Sequence, residues 1–385
     1  MTITVVDHRI TEVMDADPTQ AGDHIDLAGL VVLPGLIDCH VHVTAFSADE
    51  ARILDASPSY VAVKATKSMH EMLMRGFTTV RDAAGADYGL ADAVAEGLVL
   101  GPRLMFGGPG LTQTGGHADH RTAGQHGSPQ GSRFPSHGIV CDGKSQVRRA
   151  ARDLLRMGAN HIKMMLSGGV ASPTDRVEST QFTAGEIRTV VAEAEAAGRY
   201  VMGHAYPASA VNRGLEAGVR SIEHGNLLDD TSIELFVRMN AFLVPTLITY
   251  QALADEGEKW GLPTASTAKV QDLLERGLDA LRRADHGGVQ IAFGTDLLGG
   301  MQRLQSEEFA LRGTVQSPLA VVQSATITGA RLLGLDGVIG QIKPGFDADL
   351  IAVAGNPLDH IGLLADPAHN VKLVMRAGAV VRSEL

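Results

Sequence analysis

The run Asp38-Cys39-His40-Val41-His42-Val43 is the first stretch of this chain that could do chemistry. Side chains alternate along a β-strand, so His40 and His42 fall on one face, one pleat apart. Two neutral imidazoles at that spacing can chelate a cation, and a hydrogen-bonded core pair has the same spacing. In His161-Ile162-Lys163-Met164-Met165, Lys163 has opposite parity to the apolar Ile162 and Met164. If those two face outer helices, Lys163 faces the interior, where an ammonium is costly unless paired or neutralised. Two resolutions are open: a salt bridge to an acid, or reaction of the neutral amine with CO2 to a carbamate that can bridge two cations. Three more strand-like runs end in ligand-type residues: Val201-Met202-Gly203-His204, Ser221-Ile222-Glu223-His224 and Ile291-Ala292-Phe293-Gly294-Thr295-Asp296.

These residues need elements to position them. Extended segments are predicted at Leu36–Val43, Thr78–Asp82, Arg103–Phe106, His161–Met165, Tyr200–His204, Ser221–His224, Phe242–Pro245 and Gln290–Asp296. Between them lie helical patterns at Tyr60–Arg75, Lys144–Met157, Ala184–Ala197, Ala208–Ala217, Thr231–Met239 and Ala265–Asp285. Gly76, Gly158, Gly198 and Gly218 sit where left-handed helix C-caps are favoured. Eight strands each followed by a helix predict an α/β fold, a (β/α)8 TIM barrel over 34–335. An open doubly wound sheet competes on strand count alone. In the barrel, the ligand-type residues follow the first, fourth, fifth, sixth and eighth strands and share the rim where TIM-barrel sites are built. Residues 1–33 and 336–385 read as short strands and turns that pair into one small β-sandwich domain. The segment 107–143, rich in Gly and His, is long for a βα loop.

The bulk numbers agree. A chain of 385 residues with 44% hydrophobic and 20% charged residues is globular and long enough for a barrel with an appendage. A net charge of −11 argues against nucleic acid or an anionic membrane as partner. Two cysteines give no disulfide framework, and the N-terminus lacks a signal-peptide pattern, so a cytoplasmic protein is expected. Of fifteen histidines, His70, His137 and His360 read as dispersed surface residues. Cys39 reads as a packed core thiol, turned away from the imidazoles on either side.

The motifs LPGLIDCHVHV (33–43), TTVRDAAG (78–85), TGGHAD (114–119), IKMMLSGG (162–169), GHAY (203–206), IEHG (222–225), GTD (294–296) and GQIKPGFDADLIAV (340–353) span nearly the whole chain. In this order they resemble the amidohydrolase superfamily, in its imidazolonepropionase-like and Xaa-Pro (Xaa-Arg) dipeptidase-like branch. The resemblance implies two divalent metal ions, zinc foremost. His40, His42 and Asp296 would bind the more buried ion and His204 and His224 the more exposed one, with carboxylated Lys163 bridging both. A hydroxide shared by two cations is acidified towards neutrality and the scissile carbonyl is polarised. Asp296 can take the hydroxide proton and deliver it to the leaving nitrogen. His117 in the third loop is implied as a holder of the substrate carbonyl. The N-terminus is shorter than is usual in the family, which leaves the strand count of the small domain open.

Around this set the readings divide. The Tyr206 hydroxyl can serve the oxyanion or a substrate carboxylate, or be structural. His120 and His126 read as polar loop residues. Arg303 reads as a surface arginine capping the next helix, with a clamp on a substrate carboxylate as the alternative. The leading function is hydrolysis of an amide bond in a dipeptide, N-acyl amino acid or related carboxamide. A cyclic amide, carbamate, urea or lactone fits the same metal site, while Lys163 speaks against a deaminase. A catalytically silent assembly protein is disfavoured because every ligand position carries a ligand-type residue. The partner is a small molecule, and self-association through the outer helices is open.

Overall fold

A computed structural model describes residues 1–15, 22–121, 124, 134–170, 175–260 and 264–385. Three strands come from the N-terminal stretch: β1 (Thr2–Val6), β2 (Arg9–Met14) and β3 (Leu30–Pro34). The barrel follows, with β4 (Leu36–Val41), β5 (Phe77–Asp82), β6 (Arg103–Phe106), β7 (Gly110–Thr112), β8 (Gly138–Val140) and β9 (His161–Met165). It continues through β10 (Tyr200–Pro207), β11 (Ser221–Leu227), β12 (Phe242–Val244) and β13 (Gln290–Ile291). The chain ends in β14 (Leu350–Ala354), β15 (Val371–Arg376) and β16 (Ala379–Ser383).

Two parallel sheets, β4-β5-β6 and β13-β12-β11-β10-β9-β7-β8, form the barrel wall. Backbone bonds outside the regular ladders join them. Cys39 N donates to Phe293 O and Asp296 N to His40 O, each at 2.8 Å, so the chain after β13 docks on β4. At the other seam Asn160 N reaches Phe106 O at 2.8 Å. The wall is a closed TIM barrel, and an open doubly wound sheet is excluded. The second layer is antiparallel. β3 pairs with β14 in the sheet β16-β15-β14-β3, so the two chain ends build it together. The β1–β2 hairpin docks on the segment preceding β14, where Ile10 N donates to Phe346 O and Ala348 N to His8 O.

The helices bury one face against the barrel, as their periodicity predicts. Val147, Ala151 and Leu154 form the buried stripe of the helix Gly143–Arg156. The helix Ala184–Ala196 starts on a capping box between Thr183 and Glu186. Gly76, Gly158, Gly198 and Gly218 all follow helices at positive φ, as expected. Three strands end earlier than predicted, β12 by one residue at Val244. β4 stops at Val41, and β13 covers only Gln290–Ile291 because Phe293 N turns to Ser324 O. No helix among the described residues is long and apolar enough to cross a membrane.

Candidate active site

One cavity at the C-terminal rim is lined by His40 on β4, His42 just after it, Lys163 on β9, His204 and Tyr206 on β10, His224 on β11, Asp296 after β13, and His117. All the predicted site residues therefore meet in one place. Strand alternation accounts for most of them: Ile162 and Met164 pack into the core while Lys163, between them, lines the cavity. His224 and Asp296 arrive differently. Ser221 and Glu223 point into the barrel, so simple alternation would turn His224 outward, but His224 has φ 75°. Asp296 has φ 54°, and Thr246, beside His224, has φ 49°. Left-handed backbone at non-glycine residues costs about 1–3 kcal/mol each, and here it re-aims side chains at the cavity.

The imidazoles are held one nitrogen at a time. His40 Nδ1 lies 2.8 Å from Glu223 Oε2, and His42 Nδ1 2.9 Å from Ala84 O. His204 Nε2 lies 3.0 Å from Gly168 O, and His224 Nδ1 2.8 Å from Thr246 Oγ1. The other nitrogens of His40 and His42 approach Asp296 Oδ1 at 3.3 and 3.1 Å. The other nitrogens of His204 and His224 have no hydrogen bond among the described residues. Tying one ring nitrogen to an acceptor fixes the tautomer and leaves a lone pair on the other, which is how proteins prepare metal-ligating histidines. Burial holds His204 and His224 well below the usual histidine range, so both are neutral. Donor atoms of His40, His224 and Asp296 all lie within 4.8 Å of one another. Four imidazoles around a carboxylate suit a divalent cation.

Lys163 makes no ion pair or hydrogen bond through Nζ among the described residues. Burial pushes its amine down to about 8, against the pull of Glu223 and Asp296. His117 stacks on His204 with ring centroids 4.3 Å apart, and burial holds it at about 4, neutral at physiological pH. A Cβ at Gly169 would come within 2.2 Å of the His117 ring, so only glycine leaves room for that ring. Tyr206 stacks on His224 at 5.2 Å.

The model of the amidohydrolase family matches residues 31–381. The chain belongs to the amidohydrolase family. Membership carries with it hydrolysis at carbon–nitrogen bonds. The chain is 33% identical over 351 residues to the ochratoxinase of Aspergillus niger, covering 88% of this chain and 73% of that protein. Among solved structures, an amidohydrolase at 46% identity superposes with a TM-score of 0.97, covering 100% of this chain and 94% of the other. A prolidase in complex with N-methylphosphonate-L-proline superposes equally well, with TM-score 0.97, 43% identity and coverage of 99% and 94%.

The structure of this amidohydrolase corrects one expectation. His137 is not a dispersed surface histidine. It is buried, lines the cavity, and lies 2.6 Å from Glu50 and 2.9 Å from Thr44 Oγ1. The long connection returns to the barrel as β8, which carries His137 to its edge. His70 and His360 are exposed, as expected. Arg303 pairs with Glu256 and with Gly300 O outside the cavity, so the clamp is set aside. Cys39 is a core thiol, pushed up to about 12 by burial. His126 lies outside the described residues.

Sequence reasoning missed the support beneath His40. Glu223 is fully buried and accepts from Arg81 Nη2 at 3.0 and 3.1 Å and from the Ser221 hydroxyl at 2.6 Å. Burial alone would raise the Glu223 carboxyl, but Arg81 and His40 outweigh it and hold it well below the carboxylate range. Glu223→Gln keeps the shape, weakens the hold on His40 and strands the Arg81 charge. Metal affinity, read by chelator competition, is expected to fall about 10–100-fold. Stability, read by denaturant unfolding, is expected to fall by about 3–5 kcal/mol. Unchanged metal affinity would show that Glu223 does not position His40.

Proposed function

We propose that this amidohydrolase cleaves the amide bond of a small carboxamide, a dipeptide or an N-acyl amino acid, with two divalent ions, zinc foremost. His40, His42 and Asp296 would hold one ion, His204 and His224 the other, and a carbamate on Lys163 would join them. The observation that carries this reading is the convergence on a single cavity of the imidazoles of His40, His42, His204 and His224, the Asp296 carboxylate and the Lys163 amine, which has no ion pair among the described residues. Such ions, when bound, make water a nucleophile near neutral pH and polarise a carbonyl.

The chain's own residues do the rest. Asp296 lies against both His40 and His42, placed to take a proton on an Oδ and return it to the leaving nitrogen. An amide needs that delivery because an amide anion is a poor leaving group. His117, stacked beside His204, can donate to the substrate carbonyl oxygen, and Tyr206 offers a phenol on the same side. The cavity combines these polar groups with the apolar side chains of Val170, Leu253 and Leu298, as small-molecule sites do. The ochratoxinase relative and the prolidase holding a phosphonate of proline support amide cleavage on such a site.

The test is a screen of the zinc-loaded protein against dipeptides, N-acyl amino acids, anilides, carbamates and lactones, with amine and acid quantified separately. Equal amounts of amine and carboxylic acid from the peptide-like set are expected. Turnover confined to carbamates, lactones or ring compounds would overturn the substrate reading.

A further inference from the structure

The turn that carries Thr246 is held from outside the site. Thr246 is the N-cap of the helix Leu247–Glu256, and an N-cap threonine ordinarily turns its hydroxyl back on the free N–H groups of its own first turn. Here it makes no capping bond; Thr246 Oγ1 lies 2.8 Å from His224 Nδ1 instead. The backbone at Thr246 has φ 49° and ψ 48°, a left-handed conformation that a β-branched residue adopts at a cost and keeps only where its surroundings impose it. Further along the same turn, Thr249 Oγ1 donates to Asp296 O at 2.8 Å. One turn of chain therefore supports His224 and Asp296, a ligand of each ion in the arrangement proposed above.

What caps that turn is Glu308. It stands on the helix Glu307–Arg312 and is fully buried. Its Oε2 accepts from Ile248 N at 2.6 Å and its Oε1 from Leu247 N at 3.4 Å, and these are its hydrogen bonds among the described residues. Burying a carboxyl group is costly unless it is bonded, so these two bonds are what keep it there. By taking the first N–H groups of the helix, Glu308 does the capping that the Thr246 hydroxyl has left, and frees that hydroxyl for His224. It also pins the two peptide groups that follow the Thr246 Cα, which fixes the left-handed residue from its C-terminal side.

We infer that Glu308 is a positioning residue of the active site, acting through Thr246 to aim His224 at the cavity. Glu308 does not line the cavity itself. This rests on the reading of His224 as a metal ligand and adds to it the group that sets the direction of the ring.

A double-mutant cycle on metal affinity tests the route. Wild type, Glu308→Ala, Thr246→Ala and the double variant are titrated with zinc against a chelator. Each single variant is expected to lose about 10–100-fold in affinity for one of the two ions. The double variant should fall within about threefold of Thr246→Ala, because without the hydroxyl Glu308 has nothing to transmit. A general loss of stability would not produce that coupling. A double variant weaker than Thr246→Ala by more than this margin, or unchanged affinity in Glu308→Ala, overturns the inference. Where Glu308→Ala does not fold, Glu308→Asp takes its place under the same criteria. It keeps a carboxylate near Arg312 and withdraws the oxygens from the two N–H groups by one methylene.

His224→Ala separates this from the metal reading. If that variant binds zinc as the wild type does, or the wild type binds none, His224 is no ligand and the metal reading fails. Glu308 is then judged in the metal-free protein by 15N NMR after histidine labelling, with His224→Ala assigning the signal. A neutral His224 tautomer protonated at Nδ1 in the wild type, and lost or averaged in the Glu308 variant, supports the positioning role. A wild type without that tautomer, or a signal unaltered in the variant, overturns it.

Discussion

Lys163→Ala is expected to lower kcat by about 10³-fold or more and to leave fewer than two ions per chain. Lys163 stands on β9, between β7 and β10, with Met202 of β10 beside it. Its amine is buried, without an ion pair among the described residues, and lowered to about 8. An ordinary lysine near 10.4 is almost wholly protonated at pH 7, whereas about a tenth of an amine at 8 is free. Only the free amine reacts with CO2, and the resulting carbamate is an anion with two oxygens. That product converts a costly buried cation into a ligand able to join two cations. The sign of the pH effect follows. Carboxylation is favoured as pH rises through about 8, and added bicarbonate should raise metal occupancy below that pH. Acetate or propionate should partly restore Lys163→Ala by occupying the vacated bridge. Metal analysis by mass spectrometry, together with 13C NMR after labelled bicarbonate, reads these steps without turnover. Wild-type activity in Lys163→Ala with two ions bound would remove the carbamate from the mechanism.

What could be seen in advance follows the physics of each residue. His40, His42 and Lys163 were legible because parity along a strand decides which face a side chain takes, and apolar neighbours mark the other face. His224 and Asp296 were legible as residues at the rim but not in orientation, since both depend on positive φ. Neither is a glycine, and the tolerance of histidine and aspartate for that conformation is too weak a local signal to announce it. Arg81 and Glu223 did carry a signal that went unused. Arg81 shares parity with Thr79 on β5, and Glu223 with Ser221 on β11, and all four are buried. Opposite charges at interior positions of two strands have to find each other, or neither could be there. His137 had no such signal, because β8 is three residues long and its place beside β7 depends on the path of the connection before it. The early end of β13 has the same origin: its neighbours' carbonyls, Ser324 O and His40 O, are tertiary partners. Among the described residues, each end of the chain supplies three strands beside the barrel, β1–β3 and β14–β16.

Asp296→Asn is the sharpest test of the chemistry, because it changes charge and basicity while leaving shape nearly intact. The backbone at Asp296 is left-handed, a conformation asparagine adopts with little penalty. Its anchoring contacts involve the main chain: Asp296 N donates to His40 O, and Thr249 Oγ1 donates to Asp296 O at 2.8 Å. The variant should therefore fold with the same melting behaviour. What it loses is an anionic oxygen 3.1 Å from His42 Nε2 and 3.3 Å from His40 Nε2, where no other carboxylate reaches both rings among the described residues. Burial opposes ionisation of Asp296, but His40 and His42 outweigh it and hold the group well below its ordinary pKa, so it enters the reaction as a base. A fall in kcat of about 10²–10⁴-fold is expected from removing a proton carrier of this kind. The dependence on leaving group separates proton delivery from simple loss of a ligand. An alkyl amide, whose nitrogen must be protonated to depart, should suffer the full loss, and a p-nitroanilide distinctly less. A uniform loss for both, accompanied by one ion fewer, would make Asp296 a metal ligand without a part in proton transfer. Wild-type rates on the alkyl amide would exclude it from the chemistry altogether.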